Sequence, residues 1–167
     1  MALKRFLFLG LSVLLSFELA YAEGEVVVDV TLTPAGDFKA KTHDIQGEVE
    51  LGEGGSVKAE NIVVSLKNLK TGISLRDKHA REKYLEVEKF PEAILVRGVG
   101  KDGKGEGILK IKGVEKPVRG TYRIEGDFVQ ADFQIKLSDY GITGIRYMGI
   151  GVKDDVKIHV KVPLKKK

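Results

Sequence analysis

The chain has 167 residues, 28 Lys and Arg against 24 Asp and Glu, a net charge of +4, and neither Cys nor Trp. Its basic residues, among them Lys101, Lys104, Lys110, Lys112 and Lys116, are scattered among acids without interleaved aromatics, which argues against a base-stacking nucleic-acid surface. With no Cys there are no disulfides, so stability must come from core burial and sheet closure.

Lys4 and Arg5 precede an apolar run from Phe6 to Phe17 and then Ala20-Tyr21-Ala22. A charged start, a short apolar stretch and an A-x-A site predict a signal peptide over residues 1–22, cleaved after Ala22. The run is about 12 residues, short of the ~20 that cross a bilayer. Because no Cys follows, a lipid-modified N-terminal Cys is excluded and no stable membrane anchor is expected after cleavage. The expected product is an exported single domain over 23–167, with 26 basic and 23 acidic residues.

Val26, Val28, Val30 and Leu32 then alternate with Val27, Asp29 and Thr31, the period of a half-buried strand. Pro34 and Gly36 break it, Phe38 to Thr42 is extended again, and Gly47 to Leu51 follows after a turn. Ile62, Val64 and Leu66 form the next alternating set. Beyond a helical block, Ala93 to Val99 turns at Asp102-Gly103, a strong hairpin dipeptide, into Gly107 to Lys112. Gly113 makes a corner into Val118 to Ile124. After Gly126-Asp127, Val129 to Leu137 is the cleanest amphipathic strand. A turn at Asp154-Asp155 is expected before the last strand, Val156 to Val162. These segments predict an all-β fold, an antiparallel eight-stranded barrel with one short helix between strands. A barrel of that size is either filled by side chains or holds one small ligand, and periodicity leaves both open.

The helical block begins at Thr71-Gly72-Ile73-Ser74-Leu75-Arg76-Asp77-Lys78-His79 and exits through Phe90-Pro91-Glu92-Ala93. Ser74 is the expected N-cap, with Asp77 completing an approximate capping box. Asp77 and Arg81 are spaced as an i,i+4 ion pair. Leu75, His79, Ala80, Tyr84 and Val87 form the inward stripe, and Phe90-Pro91 ends the helix. Arg76, Asp77 and His79 then either clamp the helix to the barrel or, for Arg76 and His79, face the polar head of a ligand at its mouth.

The wording TG..LRD.H followed by YLEVEKFPEA resembles the block that identifies the YceI-like family. Gly107 to Val118 is similar to that family's L-x-I-x-G-V-x-K-P-V strand-turn-strand, Ser138-Asp139-Tyr140-Gly141-Ile142 to its D-F/Y-G-I loop, and Val152 to Val162 to its closing strand. Two departures stand out: Val26 to Leu32 carries no His, and Tyr140 occupies the aromatic position more often held by Phe. The resemblance implies a lipocalin-like periplasmic barrel that binds a polyisoprenoid or other long-chain lipid. On that footing Val64, Leu109, Ile111, Tyr122, Phe133, Ile135, Tyr140, Tyr147 and Ile158 are the expected apolar lining, with Arg76 and His79 at the polar head. Tyr140 and Tyr147 are alternatively a mouth or lid.

Other chemistry finds little support. Gly98 to Lys104 matches G-x-G-x-x-G, but a phosphate cradle needs a following helix, and Gly107 to Lys112 reads as a strand. His43, His79 and His159 are the only histidines and lack partners at metal-ligand spacing, so neither metal nor cofactor is expected. Neither Ser65 nor Ser138 has a neighbouring His and no G-x-S-x-G occurs, so no enzyme activity is expected. The expected partner is an isoprenoid or fatty-chain lipid. The competing reading is a filled-core barrel acting as an envelope interaction or stress module. A homodimer is compatible with either. Lys165-Lys166-Lys167 reads as a frayed, solvated tail.

Overall fold

The structure is a computed structural model and describes residues 23–165, so the expected signal peptide over 1–22, Lys166 and Lys167 lie outside it. The alternating segments pair into one antiparallel sheet. Its strands are β1 (Glu25–Thr33), β2 (Asp37–Thr42), β3 (Ile45–Gln46), β4 (Val49–Leu51), β5 (Val57–Ser65), β6 (Glu92–Lys101), β7 (Lys104–Ile111), β8 (Val114–Glu125), β9 (Phe128–Lys136), β10 (Arg146–Tyr147) and β11 (Ile150–Pro163).

Nine strands follow one another in the order β2-β1-β11-β9-β8-β7-β6-β5-β3, with β10 on β11 and β4 on β5. Nine strands thus form the path where eight were expected; β3 and β4, on either side of Gly47 at φ 112°, both pair with β5. The sheet curls until its two ends meet. Lys41 of β2 exchanges backbone hydrogen bonds with Lys70, at 2.8 and 2.9 Å. Val49 of β4 bridges Leu164 in parallel, and its carbonyl accepts from the Lys165 amide at 2.9 Å. The result is a nearly closed, lipocalin-like barrel with one short helix. The Lys165 end is also held by its ammonium on Glu50 at 2.8 Å, so the tail is tied rather than frayed at that residue.

The hairpins place the inward faces. Asp102 and Gly103, at φ 53° and 76°, form a two-residue turn that sets Lys101 opposite Lys104 and Gly100 opposite Gly105. The expected turn at Asp154-Asp155 is absent. Both acids lie inside β11, where Asp155 binds Lys136 at 3.0 Å and Asp154 accepts from the Ser138 hydroxyl at 2.6 Å. Those partners on β9 and the adjoining turn satisfy both carboxylates while the backbone stays in the ladder.

The β5–β6 connection crosses one end of the barrel, called here the helical end. It carries α1 (Ser74–His79), which continues as a wider π-helical turn over Ala80–Tyr84. Ser74 does not cap it: Ile73 occupies that position, and no side chain caps the first turn. Arg81 donates to the Leu69 carbonyl at 3.3 Å instead of pairing with Asp77. The helix also stops before Phe90. Glu86, at φ 51°, turns the chain into the left-handed region that ends helices, and the Val87 amide reaches back to the Arg81 carbonyl at 2.9 Å. Lys112, on the β7–β8 hairpin, then pairs with Glu86 at 2.8 Å and donates to the Tyr84 carbonyl at 3.1 Å, pinning the helical segment to the sheet.

Candidate ligand cavity

The core does not fill the barrel. One buried cluster, including Val30, Leu109, Ile135, Tyr140, Ile142 and Val156, lies toward the helical end. A second, Val49, Ala59, Ile62, Val129 and Val162, lies toward the other. Between and beside them is a cavity of about 620 Å³ whose wall is almost entirely apolar. That volume falls within the roughly 300–1,000 Å³ range of small-molecule sites.

Strand alternation explains the lining. Because the side-chain period is two, every second residue of β1, β7, β9 and β11 points inward, while β5 changes phase at Asn61, φ 50°, so that Ala59 and Ile62 both face the cavity. Eight of the nine expected lining residues are on the wall: Val64, Leu109, Ile111, Tyr122, Phe133, Ile135, Tyr147 and Ile158. Tyr140 is not. It sits in the core cluster, 1% exposed, at the end of a 3₁₀ turn over Leu137–Tyr140. Its hydroxyl has no hydrogen-bond partner among the described residues, and burial, aided by the Asp139 charge, pushes its pKa up to about 12.

At the end opposite the helix the wall is thinned. Gly98 and Gly100 of β6, Gly105 and Gly107 of β7, and Gly120 of β8 occupy adjoining positions in the ladder. A Cβ at Gly120 would fall 2.2 Å from the Asp132 carbonyl oxygen, and one at Gly100 would fall 2.5 Å from Tyr122 Cε1. The bare backbone is therefore needed for close strand approach and for the Tyr122 ring, which folds across it. Tyr122 donates to the Gly55 carbonyl at 2.9 Å, so this ring is a fixed floor. No single strand reveals this patch, but the register set by the Asp102-Gly103 turn does place Gly100 beside Gly105.

Polar side chains border the cavity at both ends, Glu106, Arg119 and Thr121 beside the glycine wall and a second set at the helical end. Thr71, Arg76 and His79 border the cavity there. Arg76 donates from Nε to Thr71 Oγ1 at 2.9 Å and from Nη2 to the Thr71 carbonyl at 2.6 Å, and its guanidinium lies 3.8 Å over the Phe38 ring. Thr71 in turn donates both its hydroxyl and its amide to Asp77 Oδ1, each at 2.6 Å. Burial works to raise the Asp77 pKa, but these Thr71 hydrogen bonds, with Lys70 and Arg81 nearby, outweigh it and hold the carboxyl below its ordinary value. The Arg76–Thr71–Asp77 chain fixes the guanidinium at the cavity edge, so clamping and facing the cavity coexist in one residue. His79 packs its ring 6.1 Å from that of Tyr147. Leu75, expected on the inward stripe, borders the cavity at this end, as do Arg146 and Ile73, which were not expected from sequence; their phase relative to the barrel depends on how the connections lie, which no period encodes.

Among the described residues no group of three His, Cys, Asp or Glu side chains is arranged to hold a metal ion. The G-x-G-x-x-G stretch runs directly from β6 through the hairpin into β7, with no helix after it.

Comparison with known proteins agrees with this architecture. The barrel is similar to the crystal structure of BcnA from Burkholderia cenocepacia, with a TM-score of 0.62 at 15% identity over 83% of this chain and 94% of that one. A polyisoprenoid binding domain from Saccharophagus degradans, implicated in plant cell wall breakdown, gives 0.55 at 13% identity over 83% and 91%. The Campylobacter jejuni YceI protein gives 0.55 at 17% identity over 77% and 84%. At these identities the likeness shows the fold. No curated protein matches the sequence significantly. The profile of the YceI-like domain, however, matches residues 17–164, nearly the whole chain, and the protein therefore belongs to the YceI-like domain family.

Proposed function

We propose that this protein is an exported lipid-binding protein that holds a polyisoprenoid or other long-chain amphiphile inside its barrel. The observation that carries the reading is the apolar cavity of about 620 Å³. The Saccharophagus degradans relative, described as a polyisoprenoid binding domain, supports the same ligand class. In this reading Val64, Leu109, Ile111, Phe133, Ile135 and Ile158 hold the chain, Tyr122 floors it, and Tyr147 borders its entrance. Arg76 and His79 meet the polar head. Tyr140 acts from behind the wall as core. The signal peptide over residues 1–22 directs the domain of residues 23–167 to the periplasm, where it carries, stores or protects the lipid by binding, without chemistry on it.

Burial alone supplies enough affinity. Large ligands realise about 0.3 kcal/mol per heavy atom. A 20-carbon chain then reaches about 6 kcal/mol, in the tens of micromolar, and a 40-carbon chain about 12 kcal/mol, near nanomolar. Longer chains that fit are therefore retained through purification.

The test is organic extraction of the purified protein followed by mass spectrometry. A stoichiometric long-chain lipid is the expected result. Protein that is empty, and takes up none when incubated with isoprenoid or fatty-chain lipids, would favour a barrel acting through protein interaction.

A further inference from the structure

We propose that the helical end of the barrel docks on the surface of an anionic bilayer, so that a chain passes between membrane and cavity without crossing water. This rests on the lipid-binding reading and adds the surface through which the lipid enters.

Five large apolar residues are exposed at this end: Ile73 (54%), Leu75 (50%), Tyr147 (57%), Met148 (83%) and Ile150 (47%). Their two segments, the start of α1 and the β10–β11 hairpin, are joined where His79 packs against Tyr147. All of them except Met148 also line the cavity, so the exposed apolar surface runs unbroken from outside to inside. Exposed apolar patches of this kind mark interaction sites.

Met148 is the sharpest feature. It lies in the two-residue turn between β10 and β11, with φ at 48° and the following Gly149 at 82°. Such turns favour Asn, Asp or Gly at this position. A bulky apolar side chain there is unfavourable both to the backbone and to its hydration. Neither penalty serves the barrel, since Met148 packs into no core cluster. Both make sense for a tip that enters an apolar medium.

Charge selects the medium. Residues 73–79 and 142–155 carry Arg76, Lys78, Arg146 and Lys153; of their three acids, Asp77 is buried on Thr71, Asp154 accepts from Ser138 and Asp155 pairs with Lys136. An apolar rim within a basic collar suits a surface that is anionic outside and hydrocarbon within. Among exposed large apolar residues, Leu51, Val99 and Ile124 lie toward the opposite end, which lacks this helix and hairpin.

The experiment is sedimentation of the mature protein with vesicles of 3:1 phosphatidylcholine and phosphatidylglycerol, compared with phosphatidylcholine alone. The protein is expected to sediment with the anionic vesicles and to be released by salt. Met148→Asp and Lys78→Glu, neither of which lines the cavity, should each cut the bound fraction about fivefold. Asp suits the left-handed turn, so Met148→Asp preserves the hairpin. Failure of the unaltered protein to sediment, variants that sediment equally well, or a stable dimer that Met148→Asp splits would each overturn the proposal. Lipid extracted from the same preparations separates the two claims. A loaded barrel that ignores vesicles defeats docking alone, whereas an empty barrel that sediments leaves docking standing and defeats the ligand reading.

Discussion

Thr71 and Asp77, six residues apart across the start of α1, are locked by two hydrogen bonds of 2.6 Å onto a single carboxylate oxygen. Asp77 is only 6% exposed, and Thr71 also accepts from Arg76, so one buried acid orients the basic side chain at the cavity edge.

Asp77→Ala should therefore destabilise the protein by about 2–3 kcal/mol, because it strands a buried amide and hydroxyl. Urea denaturation reads this directly. The sign of the pH dependence follows from the lowered pKa. The stabilisation is fully present above the carboxyl's ordinary value of 3.8 and is lost as pH falls through the lower folded value. Asp77→Ala should accordingly lose part of the unaltered protein's acid sensitivity. A variant as stable as the original at pH 7 would contradict the clamp.

Tyr140→Phe should leave stability unchanged or raise it by about 1 kcal/mol. The Tyr140 hydroxyl is buried without a partner among the described residues, and removing an unsatisfied polar group recovers its desolvation cost. A thermal melt checks it. A loss of several degrees would mean that the hydroxyl is held by something in the native protein.

His159 joins three strands on the outer face, with Nδ1 2.5 Å from Asp132 and Nε2 3.1 Å from Asp29. The Asp132 hydrogen bond, followed by that to Asp29 and against some desolvation, raises its pKa above 6.5. The stabilisation is thus complete below pH 6.5 and disappears as pH rises through the raised value. His159→Gln should cost stability at pH 5.5 and little at pH 9. With 43% of the side chain exposed, solvent screening holds the effect under about 1 kcal/mol. Equal losses at both pH values would contradict the charge assignment.

These sites show what the sequence carried. Strand alternation placed Val64, Leu109, Phe133 and Ile158 on the inner face, because a period of two survives in any antiparallel barrel. Tyr140 was expected on the wall, or at a mouth or lid, from the family resemblance of its loop, but it lies in a 3₁₀ turn that carries its ring into the core behind the wall. Asp77 was assigned to a cap and to Arg81 by local spacing, but its partner Thr71 lies before the helix, where a bend decides the contact. The glycine wall depends on register between strands, and the cavity itself depends on how far the barrel closes. Neither is a property of one segment.

The central claim is that the barrel holds a chain in its cavity, and intact-protein native mass spectrometry of the unaltered protein beside Ala131→Phe tests it most directly. Ala131 is on the cavity wall, and a ring there takes the space a chain would occupy while the strand keeps its pairing with β8 and β11. The account predicts one bound lipid on the unaltered protein and its loss from Ala131→Phe, with the melting profile still cooperative. An unaltered protein that carries no lipid even after incubation with long-chain isoprenoids, or a variant that binds lipid as well as the original, would contradict it.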